Sequence, residues 1–136
     1  MSKLLPILLI MTLTQSCSLL NNKNCNKFVS DPGHLRTNAE AMNPTAQFAE
    51  EKAMLIAKKE ISEIIDDYII EKYNYKNFLT DYEYETKVSE IKKMVFSEMR
   101  IICSKTVKKG DTYKSYIALE ISKDYIDKEV SNKLNK

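Results

Sequence analysis

The chain has 136 residues, of which 43% are hydrophobic and 29% charged, with 21 basic against 19 acidic residues and a formal net charge of +2. Both signs are interspersed along it, so nothing implies nucleic acid or an acidic partner. Glycine occurs only at positions 33 and 110, which excludes phosphate-cradling loops, and His34 is the only histidine.

The chain opens on Met-Ser-Lys, runs through apolar residues from Leu4 to Leu13, and reaches Thr14-Gln15-Ser16-Cys17. One lysine followed by so short an apolar run reads as an export signal, because it cannot cross roughly 30 Å of hydrocarbon as a helix. A small serine before a cysteine, where the run ends, resembles the lipobox of bacterial lipoproteins. Residues 1–16 are then the signal and Cys17 the lipidated residue. Each buried methylene contributes about 0.8 kcal/mol, so two or three acyl chains would hold the protein on a membrane permanently. Residues 17–30, rich in Asn and without an acid before position 31, read as a lipidated, solvated tether. Residues 31–136 have the length of one domain.

Cys25 and Cys103 can pair in an oxidising compartment. Such a bridge would close most of the mature chain into a loop, with an upper entropic gain of roughly 4.5 kcal/mol. The favoured alternative is a free Cys103, buried in a strand as a small hydrophobe.

In the domain, the turn Asp31-Pro32-Gly33 leads to weak period-two alternation over Leu35–Met42, which predicts a strand. Asn43 can cap a helix with Pro44 at its first position. That helix runs to about Lys72, with Ala46, Ala49, Ala53, Ile56, Ala57, Ile61, Ile64, Ile65 and Tyr68 on one face. A second helix spans about Asp81–Phe96, marked by Val88, Ile91 and Val95. Strands at Arg100–Lys108 and Thr112–Ser122 flank Lys109-Gly110-Asp111 and predict a hairpin. Ser122 can cap a last helix carrying Ile126, Val130 and Leu134. The expected fold is α+β: a small antiparallel three-stranded sheet packed on one long helix, with a short second helix and a C-terminal helix.

The residues Leu35-Arg-Thr-Asn-Ala-Glu-Ala-Met, the helix positions Ala46, Ala49, Ala53, Ala57 and Lys58, and the strand Tyr113–Ser122 resemble the LPP-type lipoproteins. That family of small bacterial lipoproteins is typified by a twenty-kilodalton outer-membrane antigen. The chain departs from it at Asn38 and Glu40, where the family is glycine-rich. The resemblance implies a dodecin-like domain on a bacterial membrane, the outer one being favoured, facing the periplasm or the surface, with a homo-oligomer or an envelope protein as partner. It implies no catalytic residue and no cofactor.

Catalytic chemistry has little to draw on. A lone histidine, read as a solvated turn residue, supplies neither a metal cluster nor a triad, and no Gly-x-Ser-x-Gly elbow is present. Glu60, Glu63, Asp66 and Asp67 read as the polar flank of the long helix. An enzyme is not expected. Tyr68, Tyr73, Tyr75, Tyr82 and Tyr84 gather around the turn between the helices and form a candidate contact patch, weighed against simple packing of the turn. The function expected is a lipid-anchored structural or interaction module. The alternative is a periplasmic carrier with a small-ligand pocket between sheet and helix.

Overall fold

The computed structural model describes residues 25–74 and 79–134. The signal at 1–16, Cys17 and Tyr75 lie outside them. The elements follow as β1 (His34–Asn43), α1 (Ala46–Tyr73), α2 (Asp81–Ser97), β2 (Arg100–Lys109), β3 (Thr112–Ser122) and α3 (Lys123–Leu134). The fold is α+β, as expected.

The sheet is antiparallel with β3 in the centre, in the order β1-β3-β2. Gly110 turns the β2–β3 hairpin with a positive φ of 60°, a conformation glycine adopts without steric cost. On the face turned to α1 stand Leu35, Thr37, Ala39 and Ala41 of β1, and Ser115, Ile117, Leu119 and Ile121 of β3, all buried. Thr37 donates its hydroxyl to Glu60 of α1 at 2.9 Å, which satisfies the polar atom it brings into that layer.

Helix α1 starts two residues later than its expected proline. Pairing of β1 continues to Asn43, opposite Tyr113, so a turn must intervene. The Asn43 side chain accepts the Thr45 N–H in that turn, and Thr45 caps the helix by accepting from Phe48 N–H at 3.3 Å. The helix ends at Asn74, whose left-handed φ of 50° returns its N–H to the Ile70 carbonyl.

The buried residues of α1 are Ala49, Ala53, Ala57, Ile61, Ile65 and Ile69. Ala46, Ile56, Ile64 and Tyr68 of the expected stripe are only half-buried. Spacing of four overshoots a full turn by about 40° each time, so the buried line winds around the helix. Its alanine half lies over the sheet, where Ala39 and Ala41 of β1 face it and small residues allow close approach. Its later part meets the other helices, through an Asp66–Lys92 ion pair to α2 at 2.8 Å and a Tyr68–Asp127 hydrogen bond to α3 at 2.8 Å. Thr80 and Glu83 form a capping box at the start of α2, and Ser122 accepts from Tyr125 N–H at the start of α3.

Candidate interaction surface

Part of the sheet face turned away from α1, around Asn38, Ala118 and Cys103, is covered by the chain's own N-terminal segment. Residues 25–30, expected to be the end of a solvated tether, are bound to the sheet instead. Cys25 is buried and joined by a disulfide to Cys103 of β2. Asn38 of β1 accepts the Phe28 N–H at 3.1 Å and donates back to the Phe28 carbonyl. Cys103, Ala118 and Asn38 lie in one row across the three strands, so the segment crosses directly over Ala118. Ala118 is accordingly fully buried on a face that would otherwise be open. Beyond Phe28 the segment follows β1: the Ser30 hydroxyl accepts the Arg36 N–H at 2.9 Å, and Arg36 donates to the Val29 carbonyl.

The favoured reading of Cys103 as a buried thiol is corrected by this bridge, and the physical reason is a β-bulge. Ile101 pairs with Leu119, and Cys103 with Ala118, so Ile102 is an extra residue in β2. Strict alternation would put Cys103 on the α1 side with Ile101. The bulge turns it to the opposite face, where Cys25 lies.

Next to the bridge is a row of charges. Arg36 and Arg100 stand directly opposite Glu120 on its two sides in the sheet. Arg36 Nε lies 2.6 Å from one Glu120 oxygen and Arg100 bonds the other. Burial pushes the Glu120 carboxyl up, but the bonds from Arg36 and Arg100 outweigh it and hold it below the usual carboxylate range. Arg36 also pairs with Asp31 at 2.6 Å. His34, read as a solvated turn residue, instead opens β1 and is half-buried between Asp31 at 3.3 Å and Glu120 at 3.9 Å. The Glu120 pairs join the three strands, and the Asp31–Arg36 pair ties the chain just ahead of β1 to that strand. Alternation along β3 sets Glu120 on the face opposite Leu119 and Ile121, but only strand register could reveal the two arginines beside it.

The tyrosines do not form one exposed patch. Tyr68 and Tyr73 both donate to Asp127 of α3, at 2.8 and 2.6 Å, and Lys72 joins them. Burial, followed by the hydrogen bond to Asp127, pushes the Tyr73 hydroxyl well above its ordinary range. Tyr84 is buried against α1, while Tyr82 is 79% exposed on α2. Packing of the helix ends accounts for three of the four candidate-patch tyrosines that lie among the described residues. Glu60 serves Thr37 and Asp66 serves Lys92, so the carboxylates of α1 are not gathered into a site.

The exposed apolar surface lies elsewhere, between α1 and β2. Helix α1 covers β1 and β3 but stops short of β2, leaving two adjoining hollows of about 530 and 400 Å³ that share Met54 and Ile101. The first is also lined by Leu55 and Ile117 and rimmed by Glu50 and Glu51; the second by Phe96, Met99 and Leu119, with Lys58 at its rim. Leu55 is 69% exposed and Ile101 56%. Phe48, one side of the same helix, is exposed too. Sequence reading missed this groove because Leu55 sits among charged residues of the helix and Ile101 in an apolar run that reads as core.

Among the described residues no group of three or more metal-ligating side chains occurs, and no helix is long and apolar enough to cross a membrane. No protein-family model matches the chain, and no curated protein matches it.

Proposed function

We propose that the protein is a lipid-anchored lipoprotein of a bacterial envelope that acts as an interaction module through the groove between α1 and β2. The anchor rests on the sequence around Cys17 and on the resemblance to the LPP-type lipoproteins, which also favours the outer membrane. The observation that carries the interaction role is the groove itself. Its exposed Leu55 and Ile101 belong to a contiguous apolar surface rimmed by charge, the form that a protein contact takes on an otherwise polar domain.

The carrier reading draws on the same hollows, which do lie between helix and sheet. A carried molecule, however, is enclosed on most sides, whereas this groove is open along its length and lined by Met, Leu, Ile and Phe. An open trough suits a macromolecular partner better.

Intact mass and membrane fractionation of the wild type and Cys17→Ala, expressed in a Gram-negative host, test the anchor. The wild type is expected to gain acyl mass and to pellet with membranes, and the variant to do neither. Equal behaviour of the two would remove the lipoprotein reading.

A further inference from the structure

We infer that the partner of the groove is a second copy of this chain, docked side by side through α1 about a two-fold axis near Leu55. The inference builds on the groove as an interaction surface and not on the lipid anchor.

The argument is the charge order along one stripe of α1. Glu51, Leu55 and Lys58 follow at spacings of four and three on one side of the helix and line the groove, with Phe48 about one turn ahead of Glu51 on the same side. Within it an acid lies one turn before the exposed leucine and a base one turn after. A two-fold axis at Leu55 runs the two helices antiparallel, which brings each Glu51 to the Lys58 of the other copy. The same operation sets the two Leu55 side chains against each other on the axis, at the lip of each groove. An isologous contact requires a surface complementary to itself under rotation, and an acid–apolar–base stripe has that property. A parallel or shifted arrangement would set Glu51 against Glu51 or leave both charges unanswered.

The rest of the fold is compatible with this contact. The N-terminal segment and its disulfide occupy the opposite face of the sheet, so they do not intrude on the groove.

The test is a charge-swap cycle on the full chain, taken from whichever fraction holds it and measured by sedimentation velocity, with detergent where membranes are the source. The wild type is expected to be a concentration-dependent dimer. Glu51→Lys and Lys58→Glu are each expected to raise the dissociation constant roughly tenfold, and the double variant to restore it. Leu55→Asp is expected to give a monomer with an unchanged circular-dichroism spectrum, since all three positions are exposed. A wild type that stays monomeric up to about 1 mM overturns the inference, whether or not it carries bound lipid. So does a dimer indifferent to the single swaps, or one that the double swap weakens further. Because association is read separately from acyl mass, failure here leaves the anchor to its own test.

Discussion

The two flanks of the sheet are treated in opposite ways. On the β1 side the chain folds its own N-terminal segment against the strand, with Ser30 accepting the Arg36 N–H and Asn38 clasping Phe28. Bonding of this kind occupies backbone groups that an exposed strand would otherwise offer to another chain. On the β2 side the helix does not reach across, and Leu55 and Ile101 remain exposed over a trough. A domain of this size has one long helix to place on three strands, so covering two leaves the third short of apolar contacts. The contrast teaches that the open flank is selective: the face turned away from α1 is closed by covalent and ionic means, and the α1 side of β2 stays accessible.

The sharpest way to break the contrast is to release the closed flank. Cys25→Ser removes the bridge across 78 positions of sequence and is expected to cost about 3 kcal/mol of stability, read from urea unfolding under oxidising conditions. The same loss should appear in the wild type on reduction, and a variant as stable as the oxidised wild type would mean that the segment is held by its hydrogen bonds alone.

The ionic part of the closure is expected to contribute less. Glu120→Gln leaves Arg36 and Arg100 without their buried carboxylate and should cost about 2 kcal/mol near neutral pH. The Glu120 carboxyl is held below its ordinary range in the folded chain. Its contribution is therefore present above the unfolded value of about 4.3 and is lost as pH falls through the lower folded value. Wild type and variant should converge in acid, and unfolding curves that keep a constant gap down to pH 2 would sink this assignment.

The smallest effect belongs to the open flank. Leu55→Ser should change the stability of the dilute protein by about 0.5 kcal/mol or less, because the side chain gains little burial from folding. A loss several times larger would mean that Leu55 belongs to the core and that the trough is not an accessible surface.

Local periodicity carried most of the fold into the sequence. The alternation in Thr112–Ser122, the glycine between the hairpin strands and the spacing of Ala49, Ala53, Ala57, Ile61 and Ile65 follow from backbone geometry, and the elements stand at or within a few residues of the expected boundaries. Helix starts were less legible: Asn43 and Thr45 are both able to cap, and only the reach of β1 pairing decided between them.

What the residues alone determined is which segments are helix or strand, since each such segment repeats its own period of burial. What only the tertiary structure decided is everything that depends on register between distant segments. One extra residue in β2 turns Cys103 to the face where Cys25 can meet it, and strand order sets Arg36 and Arg100 on either side of Glu120. The same order puts β2 at the edge that α1 fails to cover. A one-residue change of register reverses the face of a strand without altering its local pattern, so no amount of periodicity could have disclosed the bridge, the charge row or the groove.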